Sequence, residues 1–180
     1  MNGVFHRGIK EFVIERYGRD VWDDAREAAG IERQVYLPVD TRPDAEFISL
    51  VETVPGQVDE SPFELLEEFG RFLTERLVDT YGARVIDDDW GSMDLLAGVE
   101  RAIHEPLRSH NAELNPPKLA VSRDEPDQVT LLYESPRRLC PIAKGIALGV
   151  GDYFDDDLAI SEERCMHRGD QQCEIVVTRQ

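Results

Sequence analysis

Val129-Thr130-Leu131-Leu132-Tyr133-Glu134-Ser135-Pro136-Arg137 is the stretch on which the reading of this chain turns. Val129, Leu131 and Tyr133 fall on alternate positions, the period of a strand that lays one face on a core. Pro136, with no N–H to give a ladder, marks where that strand ends. Just upstream, Leu119 and Val121 alternate in the same way, and the acidic stretch Arg123–Asp127 reads as the turn of a hairpin. Downstream, Pro141–Tyr153 is apolar and glycine-rich and reads as a helix packed on the sheet. Leu158–Ile160 and Cys173–Val177 read as two further strands, with Gly169-Asp170 as turn material between them.

Before Pro116-Pro117 the period is helical. Val4, Phe5, Ile9, Phe12, Val13 and Tyr17 recur at three- and four-residue spacings, and Val21–Ala29 continues past a break at Gly18. Pro38–Pro43 interrupts, and a further helix is expected at about 44–54. Ser61 has Pro62 next and Glu64 three positions on, a helix start, and the helix it opens should bury Phe63, Leu66, Phe69, Leu73 and Leu77. Asp87–Asp89 form an acidic loop. Met93, Leu96, Val99, Ala102 and Ile103 then outline a helix that delivers His104, and His110 falls on a connection at 107–115. Helices first, then a helix inside a four-stranded antiparallel sheet, make the class α+β. We expect one domain over 1–180, in which the acidic linker near 55–61 separates a helical distal subdomain (about 1–60) from a proximal one (about 61–180).

Tyr133, Ser135 and Arg137 share one side of an extended segment and present two hydroxyls and a guanidinium fork, enough to hold two carboxylates. A neutral imidazole such as His104 can ligate a metal. Haem, with one axial metal site and two propionates, uses all four groups. Read singly, His104 is also an ordinary helix histidine, and the alternation is also that of a solvated strand face.

The Y-x-S-x-R pattern of Tyr133, Ser135 and Arg137, together with His104, Asn115-Pro116-Pro117, Met1-Asn2-Gly3 and Tyr17-Gly18-Arg19-Asp20-Val21-Trp22, resembles the haem nitric oxide/oxygen binding (H-NOX) family. That family is related to the haem domain of soluble guanylate cyclase. The resemblance runs the length of the chain. It implies a haem b enclosed by the two subdomains, His104 as proximal iron ligand, Tyr133, Ser135 and Arg137 on the propionates, Pro117 pressing the porphyrin out of plane, and Phe5 against the haem from the first helix. Family members that hold dioxygen carry a tyrosine nine residues after the motif's first Tyr; here that place is Ile142. NO and CO are therefore the expected ligands, with no stable dioxygen complex. His6 is a second imidazole near the distal side, but its neighbour Phe5 is the residue expected to face the haem. The resemblance further implies a sensor that breaks its iron–histidine bond on binding NO and signals in trans to a separate kinase, chemotaxis transducer or cyclic-nucleotide enzyme.

Cys140, Cys165 and Cys173 suit tetrahedral zinc thiolate ligation, with three buried or redox-active thiols as the other reading. Some family members carry cysteines at these spacings, with a histidine three residues before the middle one. Here that place is Glu162, and His167 is an equally good fourth ligand. The cysteine-bearing C-terminus, Cys165–Ile175, also looks like that of V4R domains, so the alternative function is a haem-free V4R-like module for small molecules or zinc. Enzymatic chemistry has no support: neither a nucleophile–base pair nor a phosphate loop is visible.

The 180 residues suffice for one domain with an enclosed ligand, and a hydrophobic content of 41% argues against disorder. A formal charge of −17 disfavours nucleic acid and anionic membranes, and no apolar run reaches the ~18 residues of a membrane span. An odd cysteine count without a leader pattern points to a reducing cytoplasm. Only Lys10, Lys118 and Lys144 among 20 basic residues are lysines, a halophilic balance that also fits an acidic mesophile protein.

Overall fold

The computed structural model describes residues 1–32, 35–37 and 40–180. Pro38, one end of the expected interruption, lies outside the described residues. Asn2 caps the first helix by accepting the Val4 N–H at 3.0 Å, and α1 runs Gly3–Tyr17. Gly18, at φ 97°, a left-handed value that glycine tolerates, turns the chain into α2 (Arg19–Ala28). The next helix, α3, spans Asp44–Thr53.

Ser61 and Glu64 form the expected reciprocal cap of α4 (Pro62–Tyr81). Leu66, Phe69 and Leu73 are buried as the spacing predicts, whereas Phe63 is 48% exposed. Its position in the first turn carries it past the core, where its ring meets that of His167 edge-on.

The histidine-bearing helix is not one regular rod. α5 (Ser92–Val99) widens into a single π-turn, Glu100–His104, and α6 (Glu105–His110) follows. Pro106 sits in the first turn of α6, directly after the widened turn. The helix therefore continues through His110, which sequence reading had placed on a connection. Such π-turns concentrate at functional sites.

β1 (Lys118–Glu125) and β2 (Gln128–Glu134) form the hairpin, α7 (Cys140–Phe154) packs on the sheet, and β3 (Leu158–Arg164) and β4 (Cys173–Arg179) complete it. The sheet is antiparallel throughout, ordered β1-β2-β4-β3. Tyr133 and Cys173 are register partners, as are Leu131 and Ile175. Val129, Leu131, Tyr133, Cys173, Ile175 and Val177 are all buried, so the alternation read in the sequence is the inner face.

Two apolar clusters result. One joins α1–α3 to α4 through Phe12, Phe47, Leu65 and Phe69 and takes in Ile142; the other joins the sheet to α5 and α7. α4 and α7 meet along a seam of glycines. A Cβ on Gly145 would lie 1.8 Å from the Glu67 carbonyl oxygen, one on Gly70 2.4 Å from that of Ile142, and one on Gly149 2.4 Å from Thr74 Oγ1. Only hydrogen at those Cα positions lets the two backbones touch. No helix among the described residues is long and apolar enough to cross a membrane.

Candidate functional site

One large cavity opens where the helices, the hairpin and α7 converge. His104, Pro117, Tyr133, Ser135, Arg137, Phe5 and Ile142 all line it, although they come from five different parts of the chain. The rest of the wall is mainly aliphatic, including Leu77, Leu96, Val99 and Val150. His6 and Tyr153 are not on this wall. His6 is fully buried against Tyr36 and Phe47, with ring centroids 5.6 and 5.8 Å away, and Tyr153 is half-exposed beside Phe154.

The His104 side chain is 15% exposed, and its Nδ1 lies 3.1 Å from Glu100 Oε2. Burial pushes the imidazole pKa below its ordinary value against the pull of Glu100, so the ring is neutral near pH 7. With Nδ1 engaged, Nε2 is the nitrogen left for a metal. Burial likewise pushes the Tyr133 phenol up to about 12, keeping it a neutral hydroxyl. Ser135 is buried, and its Oγ accepts the Arg137 N–H at 3.3 Å. The Arg137 side chain, 9% exposed, forks onto Asp44 at the start of α3: Nε reaches Oδ2 at 2.6 Å and Nη2 reaches Oδ1 at 3.1 Å. It also donates to the carbonyls of Leu114 and Asn115. Burial disfavours the charge on Asp44, but the fork and the Met1 ammonium overcome this and hold its carboxyl below the usual range. Arg138 faces solvent at φ 52° and turns the chain into α7.

These donors suit haem. A single neutral imidazole, two buried hydroxyls and a carboxylate-binding guanidinium stand around an otherwise apolar chamber, the chemistry that an iron porphyrin with two acid side chains requires. The guanidinium already holds a carboxylate in bidentate geometry, so its orientation is that of an acid clamp.

A second cluster lies at the base of α7. The Cys140, Cys165 and Cys173 sulfurs and a Glu162 carboxylate oxygen all lie within 4.8 Å of one another. The three thiols are free and buried. Burial and the neighbouring sulfurs push the Cys140 thiol up, and burial raises Cys173 as well. Glu162 Oε1 is buried with no hydrogen-bond partner, although Lys144 Nζ stands 3.8 Å away. His167 is not part of the group. Its Nε2 contacts the Arg138 carbonyl at 2.7 Å and its ring packs on Phe63, so of the two fourth ligands weighed from the sequence only Glu162 reaches the sulfurs.

Sequence reading missed Asp44, Glu100 and Arg108. Glu100 stood one helical turn before His104, a spacing that puts two side chains on one face. Asp44 gave no local signal, because its partner is Arg137, far along the chain.

The Haem-NO-binding family model matches residues 2–162. This chain belongs to the H-NOX family. The fold of this H-NOX chain is that of an H-NOX protein from Shewanella oneidensis in its Fe(II)NO state (TM-score 0.90, 26% identity, all of this chain and 99% of that one). The solution structure of the S. oneidensis domain in its Fe(II)CO state is also similar (TM-score 0.86, 26% identity, 100% and 99% coverage). H-NOX proteins from K. algicida (TM-score 0.84, 17% identity, 100% and 97% coverage) and T. tengcongensis (I5F mutant; TM-score 0.87, 20% identity, 100% and 98% coverage) share the fold. No curated protein matches the sequence. The family match ends at Glu162, so Cys165 and Cys173 lie beyond it.

Proposed function

We propose that this chain is a haem-based sensor of nitric oxide, binding haem b and taking NO and CO at ferrous iron. The observation that carries the reading is the meeting of His104, Tyr133, Ser135 and Arg137 on one apolar cavity. When bound, haem supplies the iron at which the gases coordinate. His104 is the proximal ligand through Nε2. Arg137, Tyr133 and Ser135 hold the propionates, Arg137 exchanging Asp44 for one of them. Pro117 and Phe5 would press on the ring from the walls they line. Release of His104 from the iron would be the switching event, freeing the π-turn Glu100–His104 and letting α5 and α6 shift, a two-state element biased by a ligand. The change is read in trans by a separate kinase, chemotaxis transducer or cyclic-nucleotide enzyme. The chain itself acts as a sensor, not as an enzyme, in a salt-rich cytoplasm to which its acidic, lysine-poor composition is suited. Absorption spectra of the ferrous, CO and NO forms test this. Bands that shift with each gas support it; a protein still colourless after reconstitution with haem overturns it in favour of a V4R-like binding module.

Gas selectivity follows from Ile142, which is buried on the wall and has no hydroxyl to offer a polar bound dioxygen. The ferrous protein exposed to air is expected to show no lasting oxy spectrum. A persistent oxy form means that another donor reaches the gas.

The thiol cluster favours a second, separate role as a structural zinc site of Cys140, Cys165, Cys173 and Glu162. Its support is the 4.8 Å gathering and the buried Glu162 oxygen that makes no hydrogen bond. Protein purified without chelators is expected to carry about one zinc per chain, since three thiolates and a carboxylate complete a tetrahedron. Cys173→Ala should lose most of it. Metal-free wild type leaves three buried thiols and no zinc role.

A further inference from the structure

The proximal histidine does not stand alone. The Glu100 carboxylate binds three groups: Oε2 meets His104 Nδ1 at 3.1 Å and accepts the Leu119 N–H at 3.2 Å, while Oε1 accepts Arg108 Nη2. Arg108 Nη1 in turn donates to the Pro117 carbonyl at 3.1 Å. One side chain thus joins the histidine, the first strand and, through Arg108, the proline of the cavity wall. The Glu100 and His104 side chains are 19% and 15% exposed, so solvent screens this contact weakly.

We infer that Glu100 sets the strength of the bond His104 makes to iron, with Arg108 as a brake on Glu100. A carboxylate that accepts the Nδ1 proton makes the imidazole a stronger electron donor at Nε2 and fixes its tautomer and ring orientation. A guanidinium on the same carboxylate withdraws electron density from it and moderates that push. The two residues therefore act in opposite directions on one ligand. Glu100 is a positioning residue, because it reaches the cofactor only through His104. The inference rests on the haem reading above. It explains how a chain tunes the ease with which its histidine is released, which sets how readily NO switches the sensor.

Opposite signs make the test. In resonance Raman spectra of the ferrous, ligand-free holoprotein, Glu100→Gln should move the iron–histidine stretch to lower frequency, and Arg108→Gln should move it to higher frequency. The Fe(III)/Fe(II) midpoint potential should rise in the first variant and fall in the second. The hold of imidazole on iron should weaken in Glu100→Gln by roughly 10-fold or more, within the 10–100-fold cost of losing such a partner. The Gln amide oxygen still accepts the Leu119 N–H, so the strand contact survives. A merely structural role moves both variants the same way, or neither, and overturns the inference. If Glu100→Gln holds no haem, the Arg108→Gln shift decides alone: upward supports the inference, downward or none overturns it. A wild type without any iron–histidine stretch refutes the haem reading instead, which keeps the two failures distinct.

Discussion

His104→Ala is expected to cost the holoprotein its axial ligand. His104 is the one imidazole among the described cavity-lining residues, so no neighbour takes its place. Loss of an outer-shell partner already costs roughly 10–100-fold in metal affinity, and loss of the ligand itself should exceed that. Haem uptake should fall by at least about 100-fold on that scale. Ferrous haem that remains should lose the absorption signature of a bound imidazole, and free imidazole, which fits the space vacated, should restore it. Spectra identical to wild type would show that the wrong ligand is named.

Gly145→Ala should produce the largest loss of stability. Its Cβ would stand 1.8 Å from the Glu67 carbonyl oxygen, 2.8 Å from the Glu67 carbonyl carbon and 2.9 Å from the Arg71 nitrogen. All three are backbone atoms, so no side chain can swing aside and the helices must part. Overpacking of this kind costs about 1–3 kcal/mol, and here about 3. In a chain of this length that lowers Tm by ~6–12 °C. Gly56→Ala, where an added Cβ meets nothing within 4 Å, is the control and should melt near wild type. Equal melting of the two variants would refute the close seam.

The parts of the fold that were legible in the sequence are those written in local periodicity. Val129, Leu131 and Tyr133 alternate because one face of β2 is buried, and Ser61 with Glu64 announces α4 because the cap is made within four residues. Phe63 misled because its spacing matched the helix, while its place in the first turn leaves it beyond the reach of the core. The π-turn was invisible, because a single widened turn repeats no residue pattern. Within the site, the hydroxyls and guanidinium were readable because three of the groups sit within five residues. The carboxylate that holds Arg137 was not, since Asp44 lies far along the chain, whereas Glu100 left a local signal in its four-residue spacing from His104. The fourth member of the thiol cluster also needed the structure, because Glu162 and His167 flank Cys165 at comparable separations and only β3 brings Glu162 inward.

Cys140 opens α7 and Ile142 stands two residues on, in the same helical turn. No joint separates them. Strain placed on that sulfur would therefore pass, with no hinge between, to a residue of the cavity wall.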